Sequence, residues 1–379
     1  MNEVKIEKMK NKISTMIYPF DVESIPLIRH NNLIEGYDFK YIISPNGWGL
    51  VGKDVSIADE GQDLEINIES NFKEYLEKCE AVLFSDSSNK INFDKLIYPK
   101  IIEAAEAKKE ILCTIKLDQE KIKKINSICD RNNINFKYLR DKNSEAKSPI
   151  FEEIYPINAP VIFVVGLTER THKFEIQLSI RERLLEQGYN VCQIGSRSYC
   201  EIMGFHSFPD FMYNNQISES EKIILFNLYV KKIEIEEKPD LIVIGIPGGT
   251  MPFNNKFTNK FGILAYEVSQ AILPDVVIFS TLYGNDSPEF LNSISNSYKY
   301  KYGFDIDCYN IANISFDRNI SEQMGKMKFT TIDWKKVNER IKLNSIEKPV
   351  YNIFNINESK EITDNLINIL ENYAEIKEL

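Results

Sequence analysis

Residues 161–194 read VIFVVGLTERTHKFEIQLSIRERLLEQGYNVCQI, and the fold turns on how this stretch is read. Residues 161–165 form a short, nearly all-apolar run behind Pro160, the pattern of a strand buried on both faces. A polar loop follows from Gly166 to His172. A helix then runs to about Gln187, and Gly188 stops it as a C′ residue does. A second strand spans 189–194. Strand, loop, helix and strand make a βαβ unit, which is right-handed in a parallel sheet. The loop therefore stands where a phosphate-binding loop stands, between a buried strand and a helix N-terminus.

The match to a Walker A loop is partial. Such a loop needs glycines for close backbone approach, a lysine for the β- and γ-phosphates, and a hydroxyl for Mg²⁺. Gly166 and Lys173 are present, one residue further apart than the standard spacing. His172 stands in place of the second glycine and Phe174 in place of the Ser or Thr. A non-glycine residue in a left-handed conformation costs about 1–2 kcal/mol, so the loop differs in shape or carries strain. Arg170 and Lys173 are nearly cancelled by Glu169 and Glu175, and the helix dipole adds only about half a positive charge. Two readings stay open: a site for an anion without efficient Mg-nucleotide hydrolysis, or a turn that has lost its ligand.

The segment GLTERTHKFEIQLSIRERLLEQGYNVCQIGSRSYCEIMGF, residues 166–205, resembles the P-loop domain of a two-domain family containing D-glutamate N-acetyltransferase-like proteins. Gly166, Lys173, Gln177, Arg181 and Gly188 fall at that family's loop and helix positions. Nearly the whole chain resembles the clostridial peptide maturation system family, through MIYPFD near the start, SPNGWGLVGKD, the loop and helix above, and SRSYCEIMGFHSFPDF. That resemblance implies a role in making a ribosomally produced, modified peptide of bacteriocin type. It supplies no reaction. The partners it implies are a precursor peptide or a partner maturation enzyme.

At 379 residues two domains are the default, and 43% hydrophobic with 27% charged residues is ordinary for a soluble globular chain. A net charge of −10 argues against nucleic-acid binding, which needs basic patches. No apolar run reaches the length of a membrane span, and the first residues lack the apolar core of a signal peptide, so a cytoplasmic protein is expected. Cys79, Cys113, Cys129, Cys192, Cys200 and Cys308 show no paired spacing, which fits reduced thiols, and no metal site is expected.

The expected architecture is α/β: a tail over 1–15, a Rossmann-like domain over 16–147, a linker over 148–160, and a degenerate P-loop NTPase-like domain over 161–379. Both domains are expected to hold mainly parallel sheets, because strand and helix patterns alternate. In the first domain, strands are expected at 16–20, 39–43, 81–85, 111–117 and 134–139, with Pro99 kinking or restarting a helix over 94–109. No GxGxxG fingerprint is present, so no dinucleotide site is assigned. Pro149, Pro156 and Pro160 mark the linker. In the second domain, strands are expected at 241–244, 276–281 and, as an edge strand, 307–314. Helices are expected at 218–236, 266–273, 288–302, 333–343 and 358–377, with 310–331 irregular.

The ligand residues follow from loops that leave predicted strands. For an anionic cofactor, a nucleotide or CoA, they are Gly166, Thr168, Arg170, His172 and Lys173, with Arg197 in the loop 195–201 and Gly248 and Gly249 in GIPGGTMPF. The last loop carries no acid, a second missing metal contact beside Phe174. For a substrate peptide they are Trp48 and Lys53 in the glycine-rich loop 44–54, and His206. Cys200 with His206 suggests a nucleophile and base, against a packing role for the thiol. Asp86-Ser87-Ser88 caps a helix or meets a ligand. The terminal helix docks on the core or on a second copy. A non-catalytic peptide-binding scaffold and an acyltransferase-like enzyme are the rival readings.

Overall fold

The computed structural model describes residues 12–140, 152–341 and 348–377, with side chains to Glu371. The chain folds as two compact units, Met1–Asn143 with Ser198–Gly204, and Ser144–Arg197 with Phe205–Leu379.

The first unit holds strands β1 (Ile13–Tyr18), β2 (Tyr37–Ile43), β3 (Ile68–Glu69), β4 (Ala81–Phe84), β5 (Glu110–Cys113) and β6 (Phe136–Tyr138). They form one sheet in the order β3-β2-β1-β4-β5-β6, with every pairing parallel. This is the strand order of a doubly wound Rossmann sheet. Helices α1 (Ile25–Arg29), α2 (Phe72–Lys78), α3 (Tyr98–Glu106) and α4 (Gln119–Asn132) connect the strands. Helices α2, α3 and α4 place Phe72, Ile101, Ala105 and Ile125 against Met16, Val82 and Ile111 of the sheet. Alternate strand residues share a face, so one helix layer reads Met16, Tyr18, Val82 and Phe84 together. Pro99 sits in the first turn of α3, directly behind a π-helical turn Phe93–Ile97, so the proline restarts the helix as its missing N–H requires.

Three features of this unit differ from the sequence expectation. The first strand begins at Ile13, so residues 13–15 belong to the sheet and not to a tail. Residues 23–34, whose pattern with Pro26 in the first turn predicts one helix, form only the short α1, followed by a 3₁₀ turn Asn31–Leu33. Strand β3 and helix α2 carried no legible signal, because a two-residue strand has no periodicity.

The second unit holds β7 (Val161–Gly166), β8 (Val191–Gly195), β9 (His206–Ser207), β10 (Leu241–Gly245), β11 (Val276–Leu282) and β12 (Cys308–Ala312). A hairpin, β13 (Ile314–Phe316) with β14 (Phe329–Thr331), stands apart, and β15 (Val350–Tyr351) completes the main sheet. The main sheet runs β15-β12-β11-β7-β10-β8-β9, all parallel. Helices α5 (Lys173–Glu186) and α11 (Ile356–Lys377) cover one face, packing Ile176, Ile180, Ile362 and Leu366 on Ile162 and Val164. Helices α6 (Glu219–Glu237), α7 (Ile263–Ala271) and α8 (Pro288–Tyr302) cover the other, packing Phe226, Val268 and Tyr298 among Phe163, Val165 and Phe279. Strand residues alternate strictly between these two layers, which is why β7 reads as an unbroken apolar run. Residues 318–324 form α9 and 334–341 form α10.

The strand order adds to the sequence reading in one place and corrects it in another. Strand β8 does not lie beside β7, because β10 is inserted between them. Strand β12 is an inner strand, since β15 pairs with its outer side. Residues 310–331 are not irregular but form the rest of β12, the hairpin and α9. Residues 152–160 of the expected linker lie along α6. Asn227 exchanges hydrogen bonds with the Tyr155 backbone, and Glu234 accepts from the Asn158 and Ala159 amides. The start of that linker, 141–151, lies outside the described residues, as do the side chains of Tyr373 and Ile376.

Candidate functional site

The chain moves from β7 to β8 and β10 on one side, then crosses to β11 and β12 on the other. The strand order therefore reverses at β7 and β11, and ligands of open parallel sheets gather where that happens, beyond the strands' carboxyl ends. Gly166 lies opposite Ser280 in the β7–β11 pairing.

The loop from Gly166 to Lys173 is tied down on both sides. Toward β11, the Leu167 amide donates to the Ser280 carbonyl at 2.9 Å, and the Ser280 hydroxyl donates to the Thr171 carbonyl at 2.5 Å. Asn310 of β12 donates in turn to the Ser280 hydroxyl at 2.8 Å. Toward β10, the amide and the hydroxyl of Thr250 both donate to the Gly166 carbonyl, at 3.2 and 3.1 Å. Asn259 bridges the Leu167 and Met251 carbonyls. A Cβ on Gly166 would lie 2.4 Å from the Thr171 hydroxyl and 3.0 Å from the Ser280 carbonyl, so this position admits no side chain as built. Gly249 is closed similarly by the Leu167 carbonyl at 2.7 Å. Gly248 takes the positive φ of a tight turn and offers its carbonyl to the loop.

Lys173 opens α5. Its ammonium turns inward, donating to the carbonyls of Thr168 in its own loop and Gly248 in the neighbouring one, each at 2.7 Å. Burial pushes it down to about 8, while Glu169 opposes the fall and Arg197 adds to it. The rings beside it pack elsewhere. His172 meets the Phe354 ring edge-on at 4.8 Å, and Phe174 is buried against Phe205 and under the Arg197 guanidinium. The interior of the loop thus belongs to the lysine.

Both non-glycine turns of this loop are left-handed: φ is 58° at Arg170 and 56° at His172. The strain that the sequence allowed for is therefore present at both residues. A second strained segment adjoins it, with positive φ at Asn259, Lys260, Phe261 and Gly262 in succession. Gly262 is required there, since a Cβ would fall 1.9 Å from the Thr250 carbonyl. Lys301 holds the segment by donating to the Thr250 and Phe261 carbonyls. Strain of this kind persists where surrounding contacts over-determine the backbone, and it concentrates at ligand sites.

Of the other residues singled out, Thr168 is buried with its hydroxyl on the Glu169 carbonyl, and Arg170 is exposed. Arg197 belongs to the same unit and is an electrostatic neighbour of Lys173. The rest of its loop, Ser198–Gly204, packs in the first unit, where the Tyr199 hydroxyl donates to the Glu23 carbonyl. Cys200 is fully buried there. His206 in the second unit is paired with Glu237. Trp48 is half-buried and Lys53 exposed in the first unit, on a loop fixed by Gly52 and Lys53 pairing with Ile68. The loop 283–286 is held by an ion pair from Arg340 to the buried Asp286.

The sequence reading missed Thr171, Ser280, Thr250 and Asn259, which fasten the loop. Their signal is uneven: Ser280 lies near the carboxyl end of β11 and Thr250 directly follows Gly249, whereas Thr171 and Asn259 adjoin neither a strand end nor a glycine. Gln177 entered the sequence reading only as a position matching a family's helix, and Gln193 did not enter it. Gln177 donates to the Ile194 carbonyl beneath α5 and fills the space over Gly245. Gln193 is fully buried on the same face, and neither atom of its amide has a partner.

The first unit has its own strand-order reversal between β1 and β4. Asp21 lies there, buried, accepting from the hydroxyls of Ser87 and Ser88 at 2.7 and 2.9 Å, and from the amides of Ser88 and Glu23. Ser87 and Ser88 thus cap no helix; they close on Asp21. A carboxylate at this point repels a pyrophosphate, in keeping with the missing glycine fingerprint.

A solved structure shares this two-domain fold. A DUF1611 family protein from Anabaena variabilis has a TM-score of 0.56 at 10% identity, over 82% of this chain and 91% of that one. At that identity the likeness speaks for the fold alone. A GTPase from Pyrococcus abyssi has a TM-score of 0.33 at 14% identity, over 57% of this chain and 97% of that one. The S. aureus homoserine dehydrogenase has 0.25 at 12% identity, over 34% and 32%. No family's sequence profile and no curated protein sequence matches the chain.

Among the described residues no helix is long and apolar enough to cross a membrane.

Proposed function

We propose that this protein serves the biosynthesis of a ribosomally made, modified peptide and holds a phosphate-bearing ligand, a nucleotide or CoA, in the loop from Gly166 to Lys173. The observation that carries the ligand is Lys173. Its ammonium is enclosed between two carbonyls at a helix N-terminus, and burial has brought it close to neutral titration. A phosphate replaces those carbonyl contacts with stronger charge-assisted ones and meets the first amides of α5. The residues suit phosphate and do not suit Mg²⁺. Phe174 stands in the hydroxyl position, the nearby hydroxyls of Thr168, Thr171 and Ser280 donate to backbone carbonyls, and the β10 loop has no acid. Binding should therefore be insensitive to Mg²⁺. The peptide pathway rests on the sequence resemblance over MIYPFD, SPNGWGLVGKD and SRSYCEIMGFHSFPDF.

The test is calorimetric titration of ATP, ADP and CoA into the full chain. Binding that is weakened in Lys173→Ala and unchanged by Mg²⁺ supports the reading. No heat with any of the three, in protein that melts cooperatively, removes it.

A peptide-binding scaffold is the second reading, and one observation favours it. The strained turn before α7 displays Phe261, with Ile263 and Tyr266 beside it, at 59%, 48% and 44% exposure. Capture of a precursor peptide that survives Lys173→Ala and is lost in a Phe261→Ser, Tyr266→Ser double variant would establish it.

A further inference from the structure

Away from the loop, Cys192 of β8, His206 of β9 and Glu237 at the end of α6 bring one ligand atom each to a common point, all within 4.8 Å of one another. We propose that these three side chains form a site for a divalent transition-metal ion of the zinc class. The three residue types are the ones such ions prefer, a thiolate, an imidazole and a carboxylate. Donor atoms around tetrahedral zinc lie roughly 3.3–3.8 Å apart, from bonds of about 2.0–2.3 Å. To reach that spacing the most distant donors close in and the paired His206 and Glu237 part.

The positions are fixed before any ion arrives. Cys192 is held in the sheet core. β9 pairs with β8, which brings His206 to the same edge of the sheet, and the His206 ring stands edge-on to Tyr229. Glu237 is anchored through its backbone, since Asn190 donates to the carbonyls of Glu237 and Lys238. Without an ion, the His206 imidazole and the Glu237 carboxylate pair with each other. Burial raises the Cys192 thiol, and the Glu237 carboxylate raises it further.

Charge supports a cation. Thiolate and carboxylate supply two negative charges against the ion's two positive ones, and the imidazole is neutral. Glu237 is the last residue of α6, so the site also lies at the negative end of a nineteen-residue helix. Arg181 opposes the cation near the thiol, and its guanidinium donates to the Val191 carbonyl. On binding, the thiol proton leaves to solvent, sulfur–metal and nitrogen–metal bonds form, and the His206–Glu237 hydrogen bond is replaced by the ion. His206 and Glu237 are each about a third exposed, at 32% and 40%, so the fourth coordination position faces solvent and takes water. The ion then clamps β8, β9 and the C-terminus of α6 together.

The experiment uses the full chain, stripped with a chelator and titrated with Co²⁺, then Zn²⁺. One equivalent of Co²⁺ should bind with a thiolate-to-cobalt charge-transfer band in the near ultraviolet, and Zn²⁺ should abolish the band. Cys192→Ser should remove the band, and Glu237→Gln and His206→Gln should each weaken binding at least about tenfold. A wild-type protein with no thiolate band overturns the proposal, leaving a His206–Glu237 pair beside a buried thiol. A band undiminished in Cys192→Ser overturns it as well. If Cys192→Ser fails to fold by circular dichroism, the partly exposed Glu237→Gln decides. Unchanged Co²⁺ affinity there sinks the site.

Discussion

At the carboxyl ends of their first strands the two sheets carry loops of opposite sign. After β7 the loop closes around an ammonium, Lys173, with backbone carbonyls as its partners. After β1 it closes around a carboxylate, Asp21, with two hydroxyls and two amides as its partners. Both sheets are parallel, both reverse strand order at that point, and both turn the charged group inward, Asp21 buried and Lys173 partly so. The architecture therefore offers the same kind of position in each unit, but the loop residues set which charge it holds. The Lys173 loop is also the strained one, with left-handed Arg170 and His172, whereas Asp21 adopts no such conformation.

The comparison predicts separable consequences for the two charges. Lys173→Ala should cost phosphate-ligand affinity about 10–100-fold, the worth of one charge-assisted contact, and leave the melting temperature nearly unchanged. Asp21→Ala should do the reverse. It removes four hydrogen bonds to a charged acceptor, and chemical denaturation should show a loss on the order of 2–3 kcal/mol. Phosphate affinity should stay as in wild type. Equal effects of the two variants on binding would break the distinction.

Acidity sharpens it further. The folded value of Lys173 lies near 8, below its ordinary 10.5, so burial costs stability at pH below about 8 and that cost is relieved as pH rises toward 10.5. Ligand binding runs the other way, because only the ammonium attracts phosphate. Affinity should fall about tenfold between pH 7 and pH 9, following the protonated fraction. The Lys173→Ala variant should lack that dependence.

The smallest effect is expected at His172. Glycine there relieves about 1–2 kcal/mol of left-handed strain. It also forfeits the edge contact with Phe354, worth about 0.5–1.5 kcal/mol, and loosens the unfolded chain. His172→Gly should melt within a few degrees of wild type. A large loss would mean that the imidazole has a role beyond packing.

Much of the second unit was legible because its strands are buried on both faces. Strands β7 and β10 are unbroken apolar runs and β11 opens with one, and α5 and α8 end at Gly188 and Gly303 with the positive φ those positions need. The lysine and the glycines of the loop were readable for the same reason, since their places are set by distance from a strand end. What stayed hidden depends on contacts distant in sequence. The insertion of β10 between β7 and β8 leaves no trace in the residues from 161 to 194. The Asp21 cluster joins residues from two loops, 66 positions apart at Ser87. Cys192, His206 and Glu237 have no motif spacing, and only the pairing of β8 with β9 and the length of α6 bring them together. The hairpin β13–β14 encloses a short helix, and strands of three residues are too brief to show alternation.

The most direct measurement is isothermal titration of CoA and ATP into the full chain at pH 7 and pH 9, with Lys173→Ala beside it. The account predicts Mg²⁺-independent binding at pH 7, weakened about tenfold at pH 9, and weak and flat with pH in the variant. Binding that is equally tight in Lys173→Ala, or absent from the wild type at both pH values, would contradict it.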